Sequence, residues 1–438
     1  MKNFKSKVPF IVLVGVVLLA VVFPSVPINN IDNDFNHADV AWMLTSTALV
    51  MFMTPGLAYF YGGMVQKKNV ISTMMQSFVS MVIMAVLWIV FGFSLVFGES
   101  LGGIVGNPTT YFMFKDVVGG ANWLSAPTIP LVIFAMYQLK FAMIAPALIT
   151  GAFAERVKFT SYILFNVLFF IFIYAPLAHA TWHPDGILLK LGVLDFAGGT
   201  VVHMSAGLTA LAAAIYLKKG KDHGKAHEPA NIPYVLLGAA LLWFGWYGFN
   251  AGSAFSANEI AGVALATTSS ASGAGALAWI FFDAARGNKP SALGLAIGLV
   301  VGLVAITPAA GFVTVSHSIV IGVVAAVISR LVVDWRTKSK LDDTLDVFPC
   351  HGVGGIIGML FTGIFATKSI NGAVEINGLY YGETGLFIAH LIGLLGASVF
   401  TLVMAFLVLK MTDLISPLRA TIEEEEIGMD ISQHGEKI

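Results

Sequence analysis

Two histidines lie inside long apolar stretches of the chain, where an ionisable group is costly. His203 ends the segment Asp195–His203 (DFAGGTVVH), and His351 lies in Asp346–Gly355 (DVFPCHGVGG). Ionisable side chains in membrane helices normally face a bundle interior or a pathway. Small residues follow both histidines and would let two helices approach closely. The pattern predicts two imidazoles in contact; the alternative is two unrelated core histidines, each bonded to a backbone carbonyl.

Aromatic residues form a second group. Trp246 and Phe249 lie in the stretch WFGWYGFNAGS, which ends at Ser253, while Phe141 and Trp182 lie elsewhere in the chain. Aromatic faces attract cations, with a contribution of up to about 2 kcal/mol when desolvated. These residues are therefore candidates for a cation site. The alternative is an aromatic belt at the membrane interface together with core packing.

Composition restricts the class of protein. Of 438 residues, 57% are hydrophobic and 11% are charged, whereas soluble domains carry roughly 25% charged residues. This excludes a soluble multi-domain enzyme and a disordered chain. The net charge of −1 gives no indication of a nucleic-acid partner. Cys350 is the single cysteine, which excludes an intrachain disulfide and a thiolate metal cluster. The sequence predicts an integral membrane protein, with no metal and no cofactor.

The apolar stretches run for about 20 residues without alternation, the length of a transmembrane helix and not of a β-barrel strand. The sequence therefore predicts an all-α polytopic protein with eleven transmembrane helices. They are centred on 40–62, 71–97, 128–152, 160–178, 197–217, 233–254, 258–282, 292–310, 314–334, 351–367 and 385–410. His203 and His351 fall in the fifth and tenth spans, which suggests two inverted five-helix halves plus an eleventh helix, a common plan for transporters.

The first 27 residues form a separate segment. Lys2, Lys5 and Lys7 precede an apolar run from Phe10 to Phe23. A basic segment before a short apolar run is typical of a secretory signal peptide. We expect residues 1–27 to be removed; the alternative is a retained twelfth helix.

The distribution of lysine and arginine predicts the orientation of the membrane domain, residues 28–411. The loops and tail on one side carry 17 of these residues, whereas the loops on the other carry Lys115, Lys190 and Lys368. Because cytoplasmic loops are enriched in Lys and Arg, the C-terminus is predicted to be cytoplasmic. The tail, 412–438, contains Glu423–Glu426 and is interpreted either as a regulatory or docking segment or as a solvated tail.

Three other groups of residues bear on function. Lys140, Asp195 and His390 are the other ionisable residues well inside the predicted spans. The i, i+4 pair His179 and His183 lacks the glutamate of a zinc protease. No P-loop and no TVGYG filter occurs in the sequence, so ATP-driven pumping and a potassium channel are not expected.

Four segments carry a family resemblance. They are DFAGGTVVH (195–203), FGWYGFNAGS (244–253), ALITGAFAER (147–156) and DDTLDVFPCHGVGG (342–355). The chain resembles the ammonium transporter family, the Amt/Mep/Rh proteins, and the Amt type within it, from about Ala38 to its end. The resemblance implies a homotrimer in the cell membrane, with one pore in each protomer and ammonium or ammonia as substrate, methylammonium being an analogue. It also implies a PII-type regulatory protein at the cytoplasmic face.

The resemblance further assigns roles to individual residues. It implies an external recruitment site at Trp182, Phe141, Ser253 and Asp195, a pore gate of Phe141 and Phe249, and a pore lined by His203, His351, Gln138 and Trp246. Tyr137 stands where many relatives have phenylalanine, a replacement expected to matter little. Lys140 is expected to point away from the pore, either paired with another group or extended towards the membrane surface.

The function expected on this basis is ammonium uptake. The cation would be recruited among aromatic rings, lose a proton and pass as ammonia, with or without separate transfer of that proton. Two alternatives are kept. One is an ammonium sensor with little flux, although no fused signalling domain follows residue 438. The other is a membrane enzyme using the His/Asp cluster, although no recognisable nucleophile accompanies it.

Overall fold

The computed structural model of the protein describes residues 7–28, 35–224 and 228–438. Lys2 and Lys5 of the predicted signal peptide lie outside these ranges. Lys225, one of the 17 Lys and Arg residues counted on the predicted cytoplasmic side, also lies outside them. The described chain is mainly helical. Its long helices are α1 Val8–Val22, α2 His37–Met64, α3 Val70–Leu87, α4 Leu131–Phe153, α5 Phe159–Phe169, α6 Ser205–Leu217, α7 Ile232–Ala251, α8 Glu259–Ala285, α9 Ala292–Ile306, α10 Val315–Lys338, α11 Gly354–Phe365 and α12 Gly385–Ile415, followed by the short α13 Ile422–Ile427.

Four of these helices are extended by π-helical turns. The turn Trp88–Gly92 joins α3 to Phe93–Phe97, and Phe170–Tyr174 joins α5 to Ala175–Trp182. The turns Gly199–Met204 and Phe348–Val353 lead directly into α6 and α11. Within the described ranges, the only sheet is a hairpin of β1, Ser100–Leu101, and β2, Val105–Gly106.

Length and composition make most of these helices membrane spans. In the part of the chain that the structure describes, ten helices are long and apolar enough to cross a bilayer. They coincide with ten of the eleven predicted spans. The remaining predicted span, 292–310, corresponds to α9, which has 15 residues and would extend only about 22 Å. The chain is therefore a multi-pass membrane protein.

Helix α1 stands apart from the packed helices. None of its residues is buried. After it, the ring of Phe23 meets the ring of Phe112 edge to face with centroids 5.6 Å apart, and the backbone N–H of Ile28 donates to Val118. The core of the molecule does not depend on this segment, which leaves both expectations for residues 1–27 open.

Polar side chains cap the N-termini of several helices. Asn231, Asn258 and Thr314 each accept a backbone N–H from the first turn of α7, α8 and α10 respectively. Such capping satisfies amide donors that have no partner inside the helix. These caps fix the residues at which α7, α8 and α10 begin.

Candidate functional site: a histidine pair between two vestibules

His203 and His351 lie side by side in the centre of the molecule. Their Nδ1 atoms are 3.3 Å apart, and the two rings are nearly parallel, with centroids 5.4 Å apart. Both side chains are buried. One Nδ1 must donate and the other accept, so the pair shares one hydrogen between these atoms. Two positively charged imidazoles this close together in an apolar site would repel each other, so charging both is disfavoured. The predicted contact between the imidazoles is present.

Two glycines make this contact possible. A Cβ atom added to Gly207 of α6 would lie 2.0 Å from the backbone nitrogen of Gly352. The two backbones therefore touch at Gly207, one turn after His203, and at Gly352, the residue after His351. Any larger residue at position 207 would separate the elements that carry the imidazoles, as expected from the small residues in the sequence.

The two histidines have matching local settings. Each lies in a π-helical turn, and an aspartate, Asp195 or Asp343, precedes each by eight residues. Asp195 accepts the backbone N–H of Thr200 at 2.7 Å, and Asp343 accepts that of Phe348 at 2.7 Å. π-helical turns often occur at functional sites. The sequence reasoning missed Asp343, although the repeated spacing of eight residues was a signal that could have found it.

Trp246 and Thr307 support His203 from one side. The indole ring of Trp246 stacks on the imidazole of His203, with centroids 5.3 Å apart and an interplanar angle of 17°. The Trp246 Nε1–H donates to Thr307 Oγ1 at 2.9 Å. Thr307 was not among the predicted site residues, because a single threonine at the end of α9 has no recognisable sequence pattern.

A pair of phenylalanines lies next to the histidines. The rings of Phe141 and Phe249 are stacked, with centroids 4.2 Å apart and an interplanar angle of 29°. Phe249 is also 6.0 Å from the ring of His203. Both phenylalanines are fully buried. They lie between His203 and the cavity that Phe141 lines.

We call that cavity the aromatic vestibule. It has a volume of about 400 Å³ and is lined by five of the predicted residues, Gln138, Phe141, Trp182, Asp195 and Ser253. Trp182 meets Phe141 edge to face, with centroids 5.9 Å apart. The vestibule thus combines aromatic rings with polar oxygens, and aromatic faces attract cations. Trp123, which also lines it, was not predicted because it lies in the irregular loop between β2 and α4.

The carboxylate of Asp195 is used within its own turn. It accepts backbone N–H groups from Gly198, Gly199 and Thr200 at 2.6 to 2.8 Å. Its backbone carbonyl accepts the indole N–H of Trp182 at 3.1 Å. Asp195 therefore shapes the backbone and orients Trp182.

Ser253 lines the vestibule and contacts Tyr137, which is not part of the lining. The Tyr137 hydroxyl lies 2.9 Å from the carbonyl oxygens of both Gly248 and Phe249, and Ser253 Oγ donates to Phe249 at 2.9 Å. Tyr137 is completely buried. The expectation that Tyr137 matters little left out these contacts, which a phenylalanine could not make.

Lys140 lies next to Phe141 in sequence but does not line the vestibule. It is 6% exposed, and within the described ranges its ammonium group has no ion pair or hydrogen bond. The expected pairing of Lys140 is therefore not found among the described residues, and its orientation away from the pore stays a prediction.

Beyond His351 lies a second opening. A cavity of about 10 Å³, lined by His351, Cys350 and Asp346 among others, lies next to a larger cavity of about 450 Å³. We call the larger one the charged vestibule. Its charged lining residues are Lys68, Glu155, Arg156, Lys221, Asp222, His223, Arg336, Asp342, Asp346 and Glu425. The lysines and arginines among them belong to the 17 Lys and Arg residues that the sequence places on the predicted cytoplasmic side.

Two ion pairs order the charged vestibule. Arg156 is 2% exposed, contacts Asp342 at 3.3 Å and donates to the carbonyl of Lys218 at 2.7 Å. Arg336 contacts Asp346 at 2.7 Å. Burial raises the pKa of Asp346 to about 7, although the positive charge of Arg336 acts in the opposite direction.

The C-terminal tail packs on the same face. Glu425 is buried and pairs with Arg419 at 2.9 Å, and its backbone carbonyl accepts the ammonium of Lys68 at 2.9 Å. Asp430 accepts the backbone N–H groups of Ile71 and Ser72 at the start of α3. Glu425 and Asp430 therefore anchor the tail to the rest of the chain, and a regulatory role for the tail stays a prediction.

Comparison with known proteins identifies the family. The model of the family described as Ammonium Transporter Family matches residues 41–438. The chain belongs to this ammonium transporter family. A putative ammonium transporter of Methanothermobacter thermautotrophicus is 45% identical over 403 residues, covering 92% of this chain and 98% of the relative. The ammonium transporter of Bacillus subtilis is 43% identical and covers 91% and 98%.

Solved structures of family members have the same fold. Mep2 of Saccharomyces cerevisiae matches with a TM-score of 0.82 and 33% identity, covering 89% of each chain. A protein described as a sensor Amt protein matches with a TM-score of 0.80 and 29% identity, covering 91% of this chain and 98% of that one. The fold of this chain therefore occurs both in Mep2 and in a protein described as a sensor Amt protein.

Proposed function

We propose that the protein conducts ammonium across the membrane as ammonia. Ammonium would be recruited in the aromatic vestibule among Trp182, Phe141 and Ser253. The faces of the rings attract the cation, and the hydroxyl oxygen of Ser253 accepts a hydrogen bond. Asp195 contributes by fixing Trp182 and the surrounding backbone. The observation that carries the proposal is the position of the touching histidines directly behind the phenylalanine pair.

The proton is removed before the constriction in this mechanism. A full charge is costly in a narrow apolar passage, whereas neutral ammonia is not. Ammonia would pass Phe141 and Phe249 and meet His203 and His351, whose ring nitrogens offer hydrogen bonds. Potassium resembles ammonium in size and charge but has no hydrogen to give up. Selectivity would therefore come from deprotonation.

The fate of the proton separates two versions of this mechanism. If the histidines relay it, transport moves net charge; if it stays outside, transport is electroneutral. The imidazole ring can serve as a proton shuttle, and the Nδ1 contact supplies one link of such a relay. A current measured in proteoliposomes under an ammonium gradient distinguishes the two versions.

Uptake of labelled methylammonium by cells that lack their own transporters tests the function itself. We expect saturable uptake that unlabelled ammonium inhibits and potassium does not. Binding without uptake would contradict the proposal and would favour an ammonium sensor, the alternative supported by the similarity to the sensor Amt protein.

The proposal includes an architecture and a location. Each protomer would have eleven membrane helices, α2 to α12, in two inverted five-helix halves plus α12, and three protomers would form a trimer in the lipid of the cell membrane. The first 27 residues would be removed as a signal peptide. The tail and the charged vestibule would face the cytoplasm, where a PII-type protein would bind. The distribution of Lys and Arg supports this orientation.

A further inference from the structure

His390 of α12 joins three separate parts of the protein. It is completely buried. Its Nδ1 lies 2.8 Å from the carbonyl oxygen of Met359 in α11, and its Nε2 lies 3.1 Å from the backbone nitrogen of Leu194. The side chain therefore connects α12, α11 and the loop that precedes the first π-helical turn.

The partners of His390 determine its tautomer. A carbonyl oxygen can only accept, so Nδ1 must carry a hydrogen and donate it to Met359. A backbone N–H can only donate, so Nε2 must accept from Leu194. His390 is therefore a neutral imidazole used at both nitrogens, and neither nitrogen remains for a substrate. It is not among the residues that line the aromatic vestibule.

Asp195, the residue after Leu194, makes two of the main contacts of the site. The carbonyl of Asp195 holds the indole N–H of Trp182, and the Asp195 carboxylate holds the turn from Gly198 to Thr200. A hydrogen bond that holds the backbone N–H of Leu194 therefore also holds the adjacent residue, Asp195, which makes both contacts. His390 itself is held against Gly363, where an added Cβ would lie 3.1 Å from the Cβ of His390.

We propose that His390 is a positioning residue for the cation site. By holding Leu194, it sets the position of Asp195 and thus the edge-to-face arrangement of Trp182 on Phe141. The inference rests on the proposed function, because it uses substrate affinity as its readout. It predicts an effect on ammonium capture in the vestibule, and none on passage between the phenylalanine and histidine pairs.

Three substitutions in the full chain test this role. In His390→Gln, an amide replaces the imidazole and supplies one donor and one acceptor, whereas His390→Leu supplies neither. His390→Asn has the same groups on a shorter side chain that cannot span both partners. We expect His390→Leu and His390→Asn to raise the KM for methylammonium about tenfold, because a buried N–H of Leu194 loses its acceptor. Vmax should stay within about twofold, and His390→Gln should restore most of the affinity.

The result that would overturn the inference is an unchanged KM in His390→Asn, or a loss of Vmax at unchanged KM. If His390→Leu fails to fold, the KM values of His390→Gln and His390→Asn still distinguish a positioning role from no role. His317→Leu is a control for the loss of a ring, since His317 packs on Phe365 and Tyr380 and does not line the vestibule.

Failure of the proposed function would be recognised separately. In that case the wild-type protein would show no methylammonium uptake. The affinity comparison would then use the change in tryptophan fluorescence on titration with methylammonium. An unchanged midpoint in His390→Asn would reject the positioning role whether or not the protein transports.

Discussion

The hydroxyl oxygen of Tyr137 lies 3.2 Å from the hydroxyl oxygen of Ser253, a residue that lines the aromatic vestibule. The same tyrosine hydroxyl reaches the carbonyl oxygens of Gly248 and Phe249 in the last turn of α7. One buried group thus ties α4 to the end of α7 and limits the directions available to the Ser253 hydroxyl. The contact therefore affects how the serine oxygen faces the vestibule.

Tyr137→Phe should weaken capture of ammonium without closing the path. The substitution keeps the ring and removes one hydroxyl, which contributes about 0.5 to 1.5 kcal/mol. We expect the KM for methylammonium to rise about two- to tenfold, with Vmax unchanged. Tyr162→Phe is the matched control, because its buried hydroxyl bonds Thr150 away from both vestibules. An equal change in KM in both variants would contradict the assigned role of Tyr137.

His203→Ala and His351→Ala should lose discrimination between ammonium and potassium. Either change removes one member of the Nδ1 pair and leaves space that water can enter, so a hydrated ion no longer needs to lose a proton. In proteoliposomes we expect a potassium current that the wild-type protein lacks. Variants that keep the full rate and the full selectivity would rule out the proposed role of the histidines.

Gly207→Ala should disrupt the contact between the two histidine-bearing elements. The new methyl group would collide with the backbone of Gly352, and overpacking of this kind costs about 1 to 3 kcal/mol. We expect a lower melting temperature in detergent and reduced uptake. Gly396→Ala is the control, since an added Cβ there meets nothing within 4 Å. A melting temperature unchanged in Gly207→Ala would show that the helices can separate freely.

Asp346 should make stability depend on pH. Its pKa of about 7 in the folded protein exceeds the value of about 4 in an unfolded chain, so the folded state holds the proton more tightly. Its contribution to stability is therefore complete below pH 4 and is lost as pH rises towards 7. Relative to Asp346→Asn, the wild-type protein should lose thermal stability over this interval and change little above it.

The asparagine variant suits this measurement for a structural reason. Asp346 has a φ of 57°, a left-handed conformation that asparagine also adopts readily. Its side chain is 13% exposed and pairs with Arg336, so the substitution changes charge with little change in shape. Parallel pH profiles of the two proteins would contradict the raised pKa.

The sequence predicted the parts of this structure that depend on local patterns. Apolar runs of about 20 residues located ten membrane helices, because helix length must match bilayer thickness. Such runs are repeated along the chain and need no knowledge of distant neighbours. The small residues after His203 and His351 indicated that the two imidazoles could meet, but two unrelated core histidines remained an alternative that only the structure excludes.

Other features depend on pairs of residues far apart in sequence. Thr307 meets Trp246, Tyr137 meets the end of α7, and His390 meets Leu194, in each case through one polar atom. A single hydroxyl or imidazole leaves no periodic pattern. The docking of the tail was likewise left open, since Glu423–Glu426 has the composition of a solvated segment, and only the positions of Arg419 and Lys68 show where it binds.

The bond from Asp430 to the first amides of α3 links the far end of the chain to the helix that follows the first loop. Lifting the tail would leave two donors at that helix start without their carboxylate and would let its first turn fray. The rate of hydrogen–deuterium exchange at the amides of Ile71 and Ser72 would therefore report whether residues 425–438 are docked or released.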